Sequence, residues 1–419
     1  MVKENPIIIV GGGLSGLAAG ITLQESGLEV LILEASDGVG GRVRTDTDKG
    51  FLFDRGFQVL LKSYPEAQRF LDYNALDLRS FLPGALVLNQ VGENLVMDPL
   101  RNPSYLFQTL FSPIGSLADK LNLLRLKLKL NSQKFDQIFK KEESTTIAYL
   151  NSFGFSKKII EDFFIPFLGG IFLENKLKTS SRMFEFVFKL FGAGDTSVPA
   201  LGMGQISEQL AKRLGENKIN LNEPVIKIEN GKVQTSLKEY ASPAIFFAGG
   251  NLNHFPGDLP LPLSSIKSNF QPRSAYTLYY SSKTKPSEKK IILLNSIPKN
   301  WVNTLAVMDN LSSNYAPKGF HLLSITLKDP LTEISLEIIQ EKVKKEMSFW
   351  FPDSFNWKFL KAYPIKYALP DQDHVVNDLN DFLLPGYKSV YLCGDYLLNG
   401  SINGALRSGR LAAEQYLKK

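Results

Sequence analysis

The chain has little of the chemistry on which thiol and imidazole sites depend. Its 419 residues include one cysteine and three histidines. A single cysteine excludes an internal disulfide, and so few thiol and imidazole groups argue against a metal site. We therefore expect no bound metal. A chain without an internal disulfide suits the reducing cytoplasm, where we expect this protein.

Long uniform runs are also missing. No run of about 20 apolar residues occurs, so no membrane-spanning helix is expected. The net charge of +6 is spread along the chain without a long Lys/Arg block, so nucleic acid is not an expected partner. The apolar and basic stretch from Tyr105 to Leu130 has two interpretations. It could lie on a membrane surface, or it could be a lid helix packed on the core with extended Lys and Arg stems.

The first fifty residues have the pattern of a strand–turn–helix–strand unit. The β-branched run Ile7 to Val10 predicts a buried parallel strand, Leu14 to Ser26 has helical spacing, and Glu29 to Glu34 predicts a second strand. Between the first strand and the helix stands Gly11-Gly12-Gly13-Leu14-Ser15-Gly16. A glycine loop in this context predicts a dinucleotide site.

Each glycine of this loop has a physical role. Gly11 allows the tight turn, Gly13 lets a pyrophosphate approach the backbone, and Gly16 lets the helix pack closely on the strand. Leu14 and Ser15 begin the helix, whose N-terminus offers free N–H groups and a positive dipole end to the phosphates.

An acidic residue closes the second strand. Glu34 can accept hydrogen bonds from a ribose 2′-hydroxyl, and its charge would repel a 2′-phosphate. NADP is therefore disfavoured. We include the neighbouring Ala35 among the predicted cofactor contacts.

The segment Gly40-Gly41-Arg42 follows. It resembles the signature of the flavin-dependent amine oxidase and phytoene desaturase superfamily, which also contains protoporphyrinogen oxidases and the Rab GDP-dissociation inhibitors. The resemblance implies non-covalent FAD, with Arg42 running along the pyrophosphate. It also implies that Val225, in the predicted strand Pro224 to Ile228, contacts the adenine through its main chain.

Another matching segment follows the arginine. The chain has Phe53-Asp54-Arg55-Gly56-Phe57-Gln58 in the place of the superfamily's Asp-x-Gly segment, which lies close to the flavin. The resemblance makes Gly56 and Phe57 predicted flavin contacts, whereas Asp54 is interpreted as an anchor of the loop.

The last thirty residues resemble the superfamily's closing block. A predicted strand from Ser389 to Cys393 leads into Gly394-Asp395, and a helix is predicted from Ile402 to Leu417. The resemblance implies that the aspartate binds the ribityl or phosphate region and that the helix N-terminus faces the pyrimidine side of the flavin. Free N–H groups there would stabilise negative charge on the reduced ring. The predicted contacts in this block are Gly394, Asp395, Ile402, Asn403 and Ala405.

Two further features bear on the reaction. Ser401 stands where typical amine oxidases have one aromatic residue of a cage beside the flavin, so the cage is incomplete. Tyr363, Tyr367 and Tyr396 could replace it or line a cavity. Cys393 lies within a strand rather than in the loop from which some amine oxidases tether FAD, so a covalent flavin is not expected.

The expected fold class is α/β. The resemblance implies a Rossmann-like FAD-binding domain from residues 1–60, 201–262 and 371–419. It also implies a discontinuous α+β substrate domain, with a helical part at 61–200 and an antiparallel sheet at 263–370. The aromatic run Phe163 to Phe172 could line a greasy channel or belong to the core, and neither interpretation is preferred.

The expected function is that of an FAD-dependent oxidoreductase that takes hydride from a C–H bond of a hydrophobic substrate, as in desaturases and dehydrogenases. No Ser–His–Asp grouping competes with it, and no other catalytic residue is assigned. An amine oxidase proper is the first alternative, and a non-catalytic prenyl-binding protein like the GDP-dissociation inhibitors is the second. Oxygen or a quinone is the expected electron acceptor.

Overall fold

The chain is built around two large sheets, each assembled from distant segments. The structure is a computed structural model that describes residues 5–98, 100–259 and 272–419. Its strands are β1 Ile7–Val10, β2 Val30–Leu33, β3 Thr45–Asp48, β4 Phe51–Asp54, β5 Leu60–Leu61, β6 Leu78–Ser80, β7 Gly84–Asn89, β8 Gly92–Met97, β9 Thr196–Pro199, β10 Ile219–Asn220, β11 Val225–Glu229, β12 Lys232–Thr235, β13 Glu239–Ala241, β14 Ile245–Phe247, β15 Pro272–Ser282, β16 Ile292–Asn295, β17 Val302–Val307, β18 His321–Leu327, β19 Lys358–Pro370 and β20 Val390–Leu392. Its α-helices are α1 Leu14–Glu25, α2 Pro65–Phe70, α3 Leu106–Phe111, α4 Leu117–Asn131, α5 Phe135–Phe139, α6 Thr146–Ser152, α7 Lys157–Ile159, α8 Ile165–Phe172, α9 Ser181–Ala193, α10 Gly204–Leu214, α11 Leu336–Met347 and α12 Ile402–Leu417.

The first sheet is parallel and has the order β10-β2-β1-β14-β20. Its central strand β1 is buried along its whole length, as the unbroken β-branched run predicts. The sheet joins residues near both ends of the chain to residues near 246. This architecture confirms the α/β fold class. The domain boundaries stay a prediction, and the one between residues 262 and 263 lies outside the described residues.

The second sheet has the order β19-β15-β18-β17-β16-β7-β8 and is antiparallel apart from the β16–β7 pair. Alternation gives it two different faces. Leu278, Leu305 and Ile325 share a buried core with Ile339 of α11. Thr277 pairs with Thr326 one position along β15 and β18, so these two side chains face the opposite side of the sheet.

The stretch predicted to be helical contains helices α2 to α9, but the prediction was incomplete. The hairpin β7–β8 joins the edge of the second sheet, where Leu86 pairs with Leu293. The middle residues of the run Gly84–Asn89 are all apolar and all buried. The run therefore lacks the alternation of apolar and polar residues that would have predicted a strand. In the part of the chain that the structure describes, no helix combines the length and the apolar character needed to cross a bilayer.

The aromatic run has one fully buried side and one half-buried side. A π-helical turn, Ile160–Phe164, precedes α8. Phe164 and Leu168 are fully buried, whereas Phe163 and Phe167 stack on each other and are only half-buried. A Cβ on Gly170 would lie 2.8 Å from the Asn303 carboxamide, which places α8 directly against β17. The core interpretation therefore holds for the buried side, and the channel interpretation stays a prediction for the half-buried side.

Candidate functional site

The glycine loop joins β1 to α1 with two very close backbone approaches. Gly11 has φ of +108°, which disfavours other residues, and a Cβ there would lie 2.6 Å from the Ala248 carbonyl oxygen. A Cβ on Gly16 would lie 2.0 Å from the Gly11 carbonyl oxygen. These glycines therefore hold the helix against the strand.

Gly13 differs from its neighbours. Its φ of −72° suits any residue, and a Cβ there would meet no heavy atom within 4 Å. It is the N-cap of α1, and no side chain caps that helix end. The open space and the uncapped N–H groups together provide a place for an anion.

Glu34 directly follows β2, which ends one residue earlier than predicted, and lies beside this loop. The carboxylate is buried and accepts hydrogen bonds from Gly12 N (2.6 Å), Ser36 N (2.8 Å) and Ser36 Oγ (2.7 Å). Ala35 is exposed. Glu223 N donates to the Glu34 carbonyl oxygen over 2.9 Å, so β11, which begins at Val225, starts two residues from this point.

The second glycine segment folds back onto the first. Gly40 N donates to the Gly12 carbonyl oxygen over 2.8 Å, and a Cβ on Gly41 would lie 3.6 Å from the Gly13 Cα. Gly40 and Gly41 have φ of +108° and +57°. The turn places Gly41, which is exposed, next to the open space at Gly13.

Arg42 connects the two ends of the chain. Its guanidinium forms an ion pair with Asp395 (2.6 Å), 353 residues away, and donates to the Ala368 carbonyl oxygen (2.8 Å). It also lies over the Tyr367 ring, 5.0 Å from the centroid. Burial opposes the charge of Arg42, but Asp395 outweighs it and raises the pKa of the guanidinium. The arginine is therefore charged at the edge of the predicted diphosphate site.

The closing block begins at Gly394, whose N–H donates to Ser408 Oγ over 2.9 Å. Ser401 is the N-cap of α12: its Oγ accepts from Gly404 N (2.9 Å) and donates to Asn399 Oδ1 (2.7 Å). Ala405 N donates the first intrahelical hydrogen bond to the Ser401 carbonyl oxygen. The N–H groups of Ile402 and Asn403 precede it and remain at the helix N-terminus.

Sequence reasoning missed the contacts that hold this helix in place. The Asn403 side chain accepts from Glu66 N (3.0 Å), so it is directed toward α2. The buried Glu66 carboxylate binds Arg410 through two hydrogen bonds (2.8 and 2.6 Å) and Arg407 through one (3.1 Å). The spacing of Asn403, Arg407 and Arg410 marks one face of a helix, but nothing in the sequence identifies their partner.

The segment after Arg42 is anchored by Asp54. Its buried carboxylate accepts hydrogen bonds from Thr45 Oγ1 (2.6 Å), Met203 N (2.8 Å) and the Tyr315 hydroxyl (2.8 Å). Burial raises the pKa of Asp54 despite these bonds. The geometry agrees with an anchoring role.

Gly56 and Phe57 lie between this anchor and the second sheet. Gly56 has φ of +92°, and a Cβ there would lie 2.8 Å from Ile365 Cδ1. Phe57 is half-buried, and its N–H donates to Thr277 Oγ1 over 3.4 Å. The loop therefore reaches the second sheet at β15, on the face that α8 covers at β17.

The three tyrosines proposed as cavity residues have separate roles. The Tyr363 hydroxyl donates to Asp46 (2.6 Å), while Tyr367 lies beneath Arg42. The Tyr396 ring is buried, and a Cβ on Gly394 would lie 2.2 Å from it. Burial opposes ionisation of Asp46, but hydrogen bonds from Arg55, Tyr363 and Lys361 lower its pKa to about 2.

The arrangement fits FAD. An open glycine at an uncapped helix N-terminus suits a diphosphate, a fixed carboxylate at the end of β2 suits a ribose, and the N-terminus of α12 suits the electron-rich side of a flavin. Cys393 was predicted to lie within a strand, but β20 ends one residue before it. The residue is fully buried, and burial raises the pKa of its thiol, so a thioether link there is unfavourable.

A family model described as flavin containing amine oxidoreductase matches residues 14–241 and 260–417. Protoporphyrinogen oxidase 2 of Arabidopsis thaliana is 26% identical over 169 residues, which are 40% of this chain and 33% of that protein. Flavin-containing amine oxidase B of Rattus norvegicus is 29% identical over 302 residues, which are 63% of this chain and 54% of that protein. The matched regions span from about a third to about half of the length of these curated relatives.

Solved structures share the fold over nearly the whole chain. Cyclohexylamine oxidase from Brevibacterium oxydans superimposes with a TM-score of 0.71 at 16% identity and covers 100% of both chains. An oxidoreductase from Methanosarcina mazei has a TM-score of 0.71 at 17% identity and covers 99% of this chain and 100% of its own. At these identities the likeness establishes the fold alone.

Proposed function

Because the chain belongs to the flavin-containing amine oxidoreductase family, whose members use FAD, we propose that it is an FAD-dependent oxidoreductase acting on a hydrophobic substrate. When bound, the flavin accepts two electrons, usually as hydride from an sp³ carbon. The protein's own task is to hold the cofactor, orient the C–H bond and exclude water. This division suits a chain with three histidines and one cysteine.

One observation carries the proposal: the glycine loop and the N-terminus of α12 lie at the same edge of the parallel sheet. The second glycine segment is hydrogen-bonded to the loop through Gly40 N and the Gly12 carbonyl oxygen, and Arg42 of that segment forms an ion pair with Asp395, which precedes α12. Carboxyl ends of parallel strands form the usual binding edge of such sheets. Gly13 and the start of α1 would hold the diphosphate, and Glu34 the ribose. Ile402 and Asn403 would direct their N–H groups to the flavin.

The proposed substrate is apolar because the side of α8 that is not core carries exposed aromatic surface. Phe163 and Phe167 are half-buried, and Phe167 also contacts Phe191 with ring centroids 5.2 Å apart. Phe57, whose N–H donates to Thr277 Oγ1, adds a half-buried ring that contacts Phe81. Such a lining favours a substrate recognised by apolar area, with few polar groups to fix its orientation.

We rank an amine oxidase proper second because its aromatic cage is incomplete at Ser401. Ser401 is used as the helix cap, so no aromatic side chain stands there. Tyr363 is hydrogen-bonded to Asp46, and Tyr367 lies against Arg42. Both tyrosines are therefore held by contacts within the protein. The prenyl-binding alternative is disfavoured by the open Gly13 site and by Glu34, which a protein without FAD need not keep.

The test has two stages. The purified protein should show flavin absorbance, or acquire it with added FAD. Under anaerobic conditions the absorbance should then be bleached by a carotenoid precursor or a porphyrinogen, and not by simple amines, with free FAD as the control. Rapid bleaching by a primary amine would favour the amine oxidase, and a protein that cannot be reconstituted with FAD would favour the binding protein. Adding oxygen or a quinone after bleaching compares the two expected acceptors.

A further inference from the structure

Helix α4 carries two separate leucine stripes. The inner stripe is core: Leu126 and Leu130 are fully buried. The outer stripe has the spacing of one continuous helical face. Its members are 40–62% exposed, and they are Leu117, Leu121, Leu124 and Leu128. The lid-helix interpretation of this stretch explains the inner stripe, but among residues 5–98, 100–259 and 272–419 nothing covers the outer stripe.

Helix α3 extends the outer stripe. Phe107 is 70% exposed and Phe111 is 79% exposed. Lys120 of α4 donates to the carbonyl oxygens of Leu110 (2.6 Å) and Ser112 (2.8 Å), which ties the end of α3 to the first turns of α4. We define the α3–α4 surface as the exposed apolar residues of both helices: Leu106, Phe107, Leu110, Phe111, Leu117, Leu121, Leu124 and Leu128.

This surface is an unusual concentration of exposed apolar area. Among the described residues, nine of the nineteen exposed large apolar side chains fall between residues 100 and 128. Soluble monomers rarely expose contiguous apolar patches of this kind unless the patch binds something. The surface is also held in place, since Asn122 of α4 donates to the Gly154 carbonyl oxygen over 2.9 Å.

The charged residues of the segment that carries this surface are almost all basic, and two of them, Arg101 and Lys127, are paired with Asp195 and Asp98. Residues 100–134 contain six basic residues and one acidic residue, Asp119. Asp119 is buried, where it accepts from Ser116 N and Ser156 N, both over 2.7 Å. Arg125 and Lys129 are exposed on α4. An apolar stripe flanked by basic side chains is the pattern of a helix that lies in the interface of an anionic membrane.

We propose that the α3–α4 surface docks the protein on a lipid bilayer that contains anionic lipid. The aromatic and leucine side chains enter the headgroup region, and the basic side chains meet the phosphates. A second copy of the chain is the competing occupant, but its own α3–α4 surface would bring two positively charged rims together. The proposal is independent of the redox chemistry, because vesicle binding is measured without turnover.

The experiment is flotation of the purified full-length chain with vesicles. Vesicles of phosphatidylcholine with an equal part of phosphatidylglycerol should carry the protein, and phosphatidylcholine alone should carry much less. The double variant Phe107→Ser/Phe111→Ser should weaken binding at least about tenfold, because both rings lose apolar burial. The control is Leu237→Gln/Phe355→Ser, which alters equally exposed side chains elsewhere and should bind as the parent does.

A charge variant separates the electrostatic contribution. Arg125→Glu should weaken binding to the anionic vesicles, and added salt should reduce the difference from the parent protein. Circular dichroism confirms that each variant is folded. Equal flotation of the parent and the Phe107/Phe111 variant would overturn the proposal. A parent that dimerises in sedimentation equilibrium through these residues and ignores both vesicle types would also overturn it, in favour of a second copy.

Discussion

Gly13 and Gly16 offer a matched pair of substitutions that separates cofactor binding from folding. Both lie in one loop, three residues apart, and both receive the same methyl group in Gly13→Ala and Gly16→Ala. At Gly13 the methyl would meet nothing within 4 Å, and φ of −72° suits alanine. At Gly16 it would lie 2.0 Å from a backbone oxygen that cannot move alone.

The expected energies differ accordingly. Overpacking typically costs 1–3 kcal/mol, and the helix gains up to about 1 kcal/mol when alanine replaces glycine. We therefore expect Gly16→Ala to lower the free energy of unfolding of the apoprotein by about 2 kcal/mol. Gly13→Ala changes an N-cap only, so we expect a loss below about 1 kcal/mol.

For FAD binding, we expect Gly13→Ala to act directly on the affinity. In Gly13→Ala the methyl occupies the space that the diphosphate needs, so the apparent Kd for FAD should rise at least about tenfold, which corresponds to about 1.4 kcal/mol. Denaturant unfolding of the apoprotein measures the free energy of unfolding, and quenching of flavin fluorescence measures the Kd for FAD. If Gly13→Ala binds FAD like the parent protein, the assignment of the diphosphate to this loop is wrong. If it unfolds as readily as Gly16→Ala, the space at Gly13 is not open.

Two further predictions concern α12. Glu66→Gln removes the charge that binds the buried Arg410 through two hydrogen bonds, while Arg410 keeps its ion pair with Glu414. We expect a cost of about 2 kcal/mol in denaturant unfolding at neutral pH. Burial opposes ionisation of Glu66, but Arg410 and Arg407 hold its pKa below the ordinary value. Its contribution is therefore complete above about pH 4.3 and is lost as the pH falls through the lowered pKa, so parent and variant should converge in acid. Ser401→Ala removes the cap and should lower the free energy of unfolding by about 1 kcal/mol, as measured by thermal unfolding. Ser401→Asp should retain most of the stabilisation, because aspartate also caps helices well. A Ser401→Ala protein with unchanged stability would contradict the capping role.

The strands and helices next to the cofactor motifs were predictable because their signals are local. The run Ile7–Val10 and the helix Ile402–Leu417 have the predicted bounds. The β7–β8 hairpin was not predictable, because a uniformly apolar run does not reveal which sheet will bury it.

The residues of the candidate site were also only partly predictable from the sequence. The glycine positions follow from local backbone needs, which a short segment expresses by itself. The partners of Arg42, Ser401 and Asn403 do not follow from local sequence. A charged or polar side chain can be satisfied by any complementary group that the fold brings near. The predicted cofactor contacts themselves remain predictions until binding is measured.

The amino-acid sequence by itself determined the kind of ligand, because a glycine loop followed by Glu34 is a local solution to holding a dinucleotide. Only the tertiary structure decided that Arg42 meets Asp395, that Glu66 secures α12, and that a leucine stripe of α4 faces outward. The reason is physical. Backbone conformation depends on neighbouring residues, whereas burial and charge pairing depend on which distant surfaces the folded chain brings into contact.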